Sequence, residues 1–560
     1  MISDKRHIQQ LAALLLAKGI TDIVISPGSR NAPLINTFTG IKDFNCRNIV
    51  DERSAGYFAL GLSVAKQKPV ALVCSSGTAT LNYTPAVAEA FYQGIPLIVL
   101  TADRPDYWID QAESQCIRQV DIFRNFSKKG ISLPLGESEK ELWYAARQIN
   151  ECLNMAVSGH KAPVHINIPF EEPLHKLTEE ELPKVKVIEL TGMKHTLAES
   201  ELSRLAELAD RSKKIMILCG QMDPETALDQ TLSAFAEKTG AVVLHEHLSN
   251  LTDNNYCASV DMLMAALHEE DMTPYRPDLL ISFGGQFVSK AIKQFLRKAR
   301  PAEHWHLSRG NEHFDTYQSL TKVINMEAVD LLHELTQKVQ LKDKEYFNHW
   351  KNKEDRVNYL RDQFVKEVEF SDLKAFYHIR EHVPSGSVIH LGNSSPVRYA
   401  LIHNRVKDTV YLSNRGTAGI DGCLSTAVGY ASESDQLNTV ILGDLTFFYD
   451  SNALWNKHVG SNLRIIVIHN GGGNIFGMIK GPADSPAFTE HFFAENTHKA
   501  EGIAKVFRLE YFKAENEEEL KQALKEFYSP EQGKASLLEV FTNADTNSRV
   551  FRELYKAVKG

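Results

Sequence analysis

The sequence predicts an α/β fold built from doubly wound parallel sheets. In the first third of the chain, continuous apolar segments run into loops of small or charged residues and then into helical stretches. The last third repeats this arrangement. Such strands are typical of parallel sheets with helices on both faces, because neither face meets water. The apolar segments in question are residues 20–26, 70–74, 96–101, 388–391, 410–412, 439–442 and 463–468.

Length and linkers predict three α/β domains. The chain has 560 residues, and a single hydrophobic core rarely grows past about 300 residues. An acidic, proline-containing stretch at 171–183 is typical of a linker, and a highly charged, predicted helix at 342–368 leads into the last part. The part between them also contains apolar strands. We therefore predict domains at 1–180, 181–345 and 346–560.

Composition excludes several classes of protein. The net charge is −9 and the isoelectric point is near 6.2, so nothing in the overall charge favours nucleic acid or an anionic membrane. Seven scattered cysteines without a C-x-x-C pair argue against a zinc site or disulfide framework and favour a reducing, cytoplasmic location. The N-terminal stretch is predicted as an amphipathic helix capped near Ser3, not a leader. No uncharged run is long enough for a membrane span.

The strongest local motif lies in the last third. Asp444 and Asn470 each follow the end of an apolar strand, and Asn470 is followed by the glycine run 471–473. A carboxylate, an amide oxygen and the Gly472 carbonyl are hard oxygen ligands that suit Mg²⁺ with a diphosphate in its remaining positions. The glycine-rich loop can help to hold that diphosphate through its N–H groups. The alternative is a capping aspartate and an unrelated turn asparagine.

Together with other motifs, this pattern resembles the 2-succinyl-5-enolpyruvyl-6-hydroxy-3-cyclohexene-1-carboxylate synthase family of thiamine diphosphate enzymes. The resemblance spans nearly the whole chain and is loosest in the middle domain. Two departures from the broader thiamine pattern are Leu445, where many relatives have Gly, and His469, where an Asn pair is usual. The other motifs that carry the resemblance are residues 26–34, 51–53, 76–79, 101–105, 117–119, 414–416 and 419–422.

The resemblance implies the function and the arrangement of the protein. The three domains become a pyrimidine-binding domain, a middle domain without cofactor and a diphosphate-binding domain. The cofactors are thiamine diphosphate and Mg²⁺ (or Mn²⁺). The implied transferase reaction decarboxylates 2-oxoglutarate and adds the succinyl semialdehyde–thiamine adduct to isochorismate in a 1,4 fashion, a step of menaquinone biosynthesis. A homodimer or homotetramer is implied, with the active site between subunits.

Glu52 is the catalytic residue that the resemblance implies. In thiamine enzymes a glutamate bonds N1′ of the aminopyrimidine and favours the imino tautomer, which removes the proton from the thiazolium C2. Such a carboxyl group must be buried and partly protonated. Glu52 follows the apolar pair Ile49–Val50, which makes burial plausible. The alternative is an exposed helix start, where an acid is favoured by the helix dipole.

The remaining cofactor residues are implied by the same resemblance. Ile420 would bend the cofactor, and Ile475 and Phe476 would line its pocket, although ordinary core packing explains these three equally well from sequence alone. The full implied set of cofactor-binding residues is Glu52, Ser394, Gly419, Ile420, Asp444, Asn470, Gly472, Ile475 and Phe476, of which Asp444, Asn470 and Gly472 bind the metal.

Cationic residues beside the predicted strand ends suit substrates that carry two carboxylates. The guanidinium group of arginine makes strong paired hydrogen bonds to a carboxylate when water is excluded. For each cation the alternative is surface solvation or structural pairing. The predicted substrate residues are Ser29, Arg30, Arg104, Gln115, Arg118, Lys290, Ser394, Arg398 and Arg415.

Two other functions stay open at this stage. One is another thiamine diphosphate enzyme, such as a 2-oxo acid decarboxylase or an acetohydroxyacid synthase-like enzyme, which lacks the arginines of residues 26–30 and 101–105. The other is a degenerate family member that serves as a binding or scaffold protein. The intact Glu52, Asp444 and Asn470 argue against the second.

Overall fold

The computed structural model contains three separate parallel sheets covered by helices. It describes residues 1–192, 195–268, 270, 272–308, 310, 312–478, 481–529 and 533–559. Each sheet has apolar residues on both faces, and five hydrophobic clusters fill the spaces between sheets and helices. The α/β, doubly wound prediction is confirmed.

The first sheet has six parallel strands in the order β3-β2-β4-β5-β7-β6. Its register is fixed by pairs such as Val70 with Leu97. A separate two-stranded antiparallel pair joins β1 (Ile2–Ser3) to β8 (Leu177–Thr178). The strands of the large sheet are β2 (Asp22–Ile25), β3 (Asn45–Asn48), β4 (Val70–Cys74), β5 (Leu97–Asp103), β6 (Lys129–Ser132) and β7 (Val164–Pro169).

The middle sheet has five parallel strands in the order β10-β9-β11-β12-β13. Apolar clusters cover both of its faces, one of them centred on the buried Trp305 and the other on the buried Trp350. The strands are β9 (Ile215–Cys219), β10 (Val242–His245), β11 (Leu279–Phe283), β12 (Glu303–Leu307) and β13 (Lys322–Ile324).

The last sheet repeats the topology of the first. Its six parallel strands follow the order β15-β14-β16-β17-β19-β18, which matches the first sheet strand for strand when each is numbered from its own start. The sequence shows no short internal repeat, so this duplication is visible only in the topology. The strands are β14 (Val388–Leu391), β15 (Val410–Leu412), β16 (Asn438–Gly443), β17 (Leu463–His469), β18 (Glu510–Ala514) and β19 (Ser536–Phe541).

Twenty α-helices cover the sheets in the described part of the chain. None of them is long and apolar enough to cross a membrane. All seven cysteines are free thiols. The helices are α1 (Arg6–Ala17), α2 (Ala32–Gly40), α3 (Glu52–Lys66), α4 (Thr78–Asn82), α5 (Thr84–Gln93), α6 (Glu139–Val157), α7 (Glu199–Arg211), α8 (Thr226–Thr239), α9 (Val260–Ala265), α10 (Lys290–Ala299), α11 (Ala328–Lys338), α12 (Glu345–Glu367), α13 (Asp372–His382), α14 (Ser395–Ile402), α15 (Cys423–Ala431), α16 (Asp444–Tyr449), α17 (Ile475–Met478), α18 (Glu501–Val506), α19 (Glu517–Phe527) and α20 (Ala544–Ala557).

Two local expectations need correction. The first helix begins at Arg6 with Lys5 as its N-cap and no side-chain cap. Ser3 lies in β1 instead, where its carbonyl accepts a hydrogen bond from Gln9. The predicted linker 171–183 is not entirely irregular, because it contains β8, which pairs with β1. Both features depend on contacts far apart in sequence.

The middle and last sheets are joined by α12 and by a polar contact. Tyr346 and Trp350 of α12 pack in a middle-sheet cluster, whereas Val357 and Val365 pack in a last-sheet cluster. Asn250 exchanges two hydrogen bonds with the main chain of Tyr411, at 2.8 and 3.0 Å. The domain boundaries at 180 and 345 remain predictions, and α12 lies where the second of them falls.

The first and last sheets are joined by a close crossing of α3 and α15. A methyl group on Gly61 would overlap the carbonyl oxygen of Thr426, and one on Gly429 would overlap the carbonyl oxygen of Phe58. The two helices share one hydrophobic cluster that also includes strands of both sheets. We call each large sheet with its covering helices a unit. The first and last units therefore pack with backbone directly against backbone.

We predict that Gly61→Ala destabilises the chain by about 1–3 kcal/mol, since the added methyl group meets rigid backbone and the helices must move apart. Urea unfolding would measure the loss. Gly502→Ala is a matched control, because Gly502 lies inside α18 with open space around it. Equal stabilities for the two variants would contradict the close crossing.

His403 predicts a pH dependence of stability. Burial, with the charges of Arg361 and Arg380 adding to it, lowers the pKa of His403 to about 3, against about 6.5 in an unfolded chain. As pH falls below 6.5 the unfolded chain binds a proton that the folded chain does not. For each unit by which the pH falls below about 6.5, this histidine therefore lowers the free energy of unfolding by up to about 1.4 kcal/mol. His403→Gln should flatten the slope of unfolding free energy measured in urea between about pH 5 and 7. Parallel slopes would show no such coupling.

Candidate active site

The predicted metal residues lie at a crevice between two strands of the last sheet. From β14 the chain adds β15 on one side and β16 on the other, so the winding direction reverses between β14 and β16. Ligands in such sheets bind beyond the carboxyl ends of the strands at this reversal. Ser394 follows β14 and Asp444 follows β16. Asn470 follows the neighbouring strand, β17.

Asp444 and Asn470 provide two buried oxygen ligands. Burial raises the pKa of Asp444 to about 6, with His469, the Leu445 N–H and Asn496 opposing the shift. The Oδ1 atom of Asn470 is buried and has no hydrogen-bond partner among the described residues. Leaving such an atom unsatisfied costs about 1–3 kcal/mol. A divalent cation bound between the two side chains would satisfy it, so these residues fit the metal that the sequence predicts.

Asp372 and Asn496 orient the two ligands. The amide nitrogen of Asn470 donates to Asp372 at 2.9 Å, which leaves its oxygen facing the opposite way. The amide of Asn496 donates to Asp444 at 3.3 Å. Asp372 is itself fixed by Thr542 and by the side chain of Asn547. No sequence motif indicates Asp372 or Asn496, since they lie far from the ligands in sequence.

His469 does not replace Asn470 as the ligand candidate. Its Nδ1 lies 2.7 Å from Glu539, and its ring stacks on Phe541. Burial is the largest single influence on the pKa of His469 and lowers it. The hydrogen bond to Glu539 and the charge of Asp444 act in the opposite direction, and the net effect is a raised pKa. The departure from the usual Asn pair therefore places an imidazole in a buried contact with Glu539 and leaves Asn470 unpaired at its oxygen.

The glycine run after Asn470 lies against another stretch of backbone. Gly472 has a φ of +148°, and a methyl group on it would meet the carbonyl oxygen of Phe493 at 2.5 Å. The N–H of Gly473 donates to that same carbonyl. The Gly472 carbonyl accepts from Asn474 at 2.9 Å, which leaves its second lone pair for a metal.

Glu52 is half-buried at the first position of α3. Its neighbours are anchored to the last unit, because Asp51 accepts from Asn452 at 2.7 Å and Arg53 donates to the Tyr449 carbonyl at 2.6 Å. Within the described residues, the Glu52 carboxylate makes no hydrogen bond or ion pair. A carboxylate without such a partner, on a main chain held at both sides, is available to a ligand.

The other predicted cofactor residues surround the same crevice or lie beside it. Ser394 caps α14 with φ 74° and ψ −126°, a strained conformation for serine, and such strain clusters at functional sites. The carbonyl of Gly419 accepts from Asn393 at 2.7 Å. Ile420 is half-buried, Ile475 is buried and Phe476 is 37% exposed.

Lys290, Arg398 and Arg415 form one group of predicted cations, at the junction of the middle and last units. The positive charge of Arg398 adds to burial in lowering the pKa of Arg415. Burial also lowers the pKa of Arg398, and the charge of Glu246 opposes the lowering of the pKa at both Arg398 and Arg415. Lys290 is exposed at the start of α10, and its charge reaches the neighbouring Lys293. The charge of Arg415 also reaches Lys293, which places the start of α10 near an arginine that sequence alone could not place beside it.

Arg30 and Arg104 form a second group at the carboxyl ends of β2 and β5. Burial lowers the pKa of Arg30, and the charge of Arg104 adds to this. Arg30 contacts the Phe170 carbonyl at 3.2 Å and Glu172 at 3.4 Å. Arg104 contacts Glu113 at 3.2 Å.

The remaining first-unit substrate residues are more open. Ser29 and Gln115 are exposed, and the main chain of Gln115 is fixed by a 2.8 Å bond from the Ser76 hydroxyl. Arg118 is 81% exposed and pairs with Asp110 at 2.7 Å. Of the predicted cations, Arg118 is therefore the one whose present contacts agree best with a surface ion pair.

The predicted residues thus form two separate groups in one chain. In the described structure, no hydrogen bond or ion pair joins Glu52, Arg30 and Arg104 to the group around Asp444. A cavity of about 610 Å³ lies among the three units and is lined by Gln93, Gln221 and Arg415, among others, but not by Glu52, Asp444 or Asn470. Neither group is enclosed within that cavity.

Comparisons with known proteins identify the family of the chain. Residues 6–122 match the family described as "Thiamine pyrophosphate enzyme, N-terminal TPP binding domain", and residues 190–391 match "Middle domain of thiamine pyrophosphate". The chain is 41% identical to the 2-succinyl-5-enolpyruvyl-6-hydroxy-3-cyclohexene-1-carboxylate synthase of Bacteroides thetaiotaomicron over 100% of both chains. It is 39% identical to the synthase of the same name from Bacteroides fragilis over 100% of both. For that of Flavobacterium johnsoniae the identity is 39% over 98% of each.

We predict that Asp372→Ala weakens Mg²⁺ binding about 10–100-fold, because loss of a residue that orients a metal ligand typically has this effect. Isothermal titration of Mg²⁺ in the presence of saturating thiamine diphosphate would measure it. Asp450→Ala is the matched control: Asp450 is another buried carboxylate of the last unit, but it bonds Ser425 instead of a proposed ligand. Equal Mg²⁺ affinities for the two variants would contradict the role of Asp372.

Proposed function

The chain belongs to the 2-succinyl-5-enolpyruvyl-6-hydroxy-3-cyclohexene-1-carboxylate synthase family, and from this premise we propose that it decarboxylates 2-oxoglutarate and transfers the remaining four-carbon unit to isochorismate. The family assignment confirms the resemblance predicted from sequence and makes the protein a thiamine diphosphate-dependent enzyme. The observation that carries the proposal is the unpaired, buried Asn470 Oδ1 beside Asp444.

The last unit is proposed to hold the diphosphate end of the cofactor. Asp444, Asn470 and the Gly472 carbonyl would bind Mg²⁺ (or Mn²⁺), and Mg²⁺ keeps phosphate oxygens in its other positions. Ser394, Gly419, Ile420, Ile475 and Phe476 would surround the rest of the cofactor. When bound, thiamine diphosphate supplies a carbon nucleophile and an electron sink for the loss of carbon dioxide from a 2-oxo acid.

Glu52 is proposed to hold a proton at N1′ of the aminopyrimidine. It lies at the start of α3, and among the described residues no other side chain forms a hydrogen bond or ion pair with its carboxylate. Residues on both sides of it are tied to the last unit, so its main chain is held against movement. A fixed acid of this kind limits the reorganisation needed for proton transfer.

The cations are proposed to hold the carboxylates of the two substrates. Lys290, Arg398 and Arg415 would bind one or more carboxylates beside the metal end, and Arg30, Arg104 and Arg118, with Ser29 and Gln115, would act from the first unit. Holding both substrates in attack geometry lowers the entropic part of the barrier. Because Arg30 and Arg415 are buried, a carboxylate bound to either would be held more strongly than in water.

A second copy of the chain is proposed to complete each active site, as a homodimer or within a homotetramer. In the described residues of one chain, no hydrogen bond or ion pair joins Glu52, Arg30 and Arg104 to the group around Asp444, yet all are proposed to serve one cofactor. Exposed apolar side chains occur in both units: Val50 and Leu81 in the first, and Tyr449, Trp455 and Phe476 in the last. Contact between two copies would bury such residues. We propose the units 1–180, 181–345 and 346–560 as the pyrimidine-binding, middle and diphosphate-binding parts.

We expect the protein with Mg²⁺ and thiamine diphosphate to release carbon dioxide from 2-oxoglutarate and, with isochorismate present, to form the succinylated cyclohexene product. Mass spectrometry of the product and a carbon dioxide assay would measure both. Turnover of pyruvate but not of 2-oxoglutarate would instead favour an acetohydroxyacid synthase-like enzyme or a different 2-oxo acid decarboxylase.

A mixing experiment tests Glu52 and the second copy together. Glu52→Gln and Asp444→Asn should each abolish turnover, because one removes the proposed proton carrier and the other the proposed metal ligand. Random assembly of the two variants would make half of the dimers heterodimers, and each heterodimer would have one intact site of two. Co-expression should therefore restore about a quarter of wild-type activity. Each variant alone is the control. No recovery in verified heterodimers would place Glu52 and Asp444 of the same chain in one site.

A further inference from the structure

Glu89 connects the first unit to the loop that carries Arg415. It lies on α5, is fully buried, and belongs to no motif that the sequence indicates. Its carboxylate accepts hydrogen bonds from the Gly416 N–H at 2.6 Å, the Thr417 N–H at 2.6 Å and the Thr417 hydroxyl at 2.5 Å. Three donors from one loop therefore converge on one charged group of another unit.

The same loop is held by the middle unit from its carbonyl side. Gln221 donates to the Ser413 carbonyl at 2.9 Å, and Gln286 donates to the Gly416 carbonyl at 3.0 Å. The loop also lies directly against α5, because a methyl group on Gly416 would meet the Glu89 carbonyl oxygen at 2.5 Å. Residues 413–417 are thus held by both other units.

Arg415 is buried but keeps donors unpaired. One terminal nitrogen donates to Asn393 at 2.7 Å, whereas its Nε is buried without a partner. In the described structure Arg415 makes no ion pair. The two nearby carboxylates, Glu89 and Glu246, oppose the lowering of its pKa that burial causes. Glu246 bonds the main-chain N–H groups of Val288 and Ser289 at 2.7 Å each.

This arrangement stabilises a buried guanidinium without occupying it. A direct Arg–carboxylate pair would have to be broken before a substrate carboxylate could bind. Because Glu89 and Glu246 direct their oxygens to uncharged donors, they contribute negative charge but compete little for the N–H groups of Arg415. The same bonds fix the backbone from which Arg415 extends.

We propose that Glu89 is a positioning residue that holds the 413–417 loop so that Arg415 presents unpaired N–H groups to a substrate carboxylate. The inference rests on the proposed function, since it takes Arg415 to bind one of the two dicarboxylate substrates. Glu89 itself contacts no substrate. Its charge and its three hydrogen bonds to the loop act through Arg415.

The test is steady-state kinetics of Glu89→Gln in the holoenzyme. The glutamine amide would place an N–H group against the loop donors, so at least one of the three bonds is lost. We expect the KM for one of the two substrates to rise about tenfold or more, with a smaller fall in kcat. Glu354→Gln is the matched control, because Glu354 is another buried glutamate that accepts main-chain N–H bonds, from Ala258 and Ser259, away from this loop.

A double-mutant cycle with Arg415→Lys separates positioning from general destabilisation. If Glu89 acts through Arg415, the effect of Glu89→Gln on KM should largely disappear in the Arg415→Lys background. Additive effects, or unchanged KM values for both substrates in Glu89→Gln, would overturn the proposal. If Glu89→Gln does not fold, Thr417→Val decides the matter, since it removes only the hydroxyl bond. A rise of KM supports the proposal, and an unchanged KM overturns it. Wild-type protein inactive on 2-oxoglutarate would instead refute the proposed function.

Discussion

The close crossing of α3 and α15 is the contact on which the rest of the arrangement depends. It brings Glu52, at the start of α3, and the 419–422 segment, just before α15, into one rigid frame, since Tyr57 of α3 also donates to Asp421 at 3.0 Å. Only glycine at positions 61 and 429 permits this approach. Once the first and last units are fixed in this way, the positions of Glu89 against the 413–417 loop and of Asp51 against Asn452 follow.

Buried charge is handled in a consistent way across the site. The carboxylates of Asp372, Glu89 and Glu246 bond amides or hydroxyls in place of cations. Arg415 lacks an ion pair in the described structure, and Asn470 lacks a partner for its oxygen. The Arg415 guanidinium is thus hydrogen-bonded to the neutral Asn393, whereas Arg30 and Arg104 contact the carboxylates of Glu172 and Glu113. A ligand carboxylate can bind Arg415 without first breaking an internal ion pair, although the unpaired groups reduce the stability of the empty protein.

Local sequence predicts the strands and the loops at their ends, because a parallel strand buried on both faces leaves a continuous apolar segment. Asp444 and Asn470 follow from that pattern. Asp372, Asn496 and Glu89 do not, since their roles arise from contacts between residues that are 52 to 328 positions apart in the chain. Strand β8 is not predicted by the local sequence for the same reason, because its partner is β1 at the other end of the first unit. The exposure of Arg118 is likewise set by the conformation of its loop, which the motif does not specify.

The shared topology of the first and last sheets explains why one cofactor needs both. In each of the two sheets, the loops after the first four strands lie at one edge. The loops of the last sheet and those of the first carry different functional groups. The last sheet presents a carboxylate, an amide and a glycine run, which suit a metal and a diphosphate. The first presents an acid at a helix start and two arginines, which suit a heterocycle and carboxylates. Two copies of one fold thus divide the recognition of a two-ended cofactor, and neither alone offers all the groups. Since no hydrogen bond or ion pair joins the two sets within the described part of one chain, symmetry between two chains is the simplest way to oppose them, and it would create two equivalent sites at once.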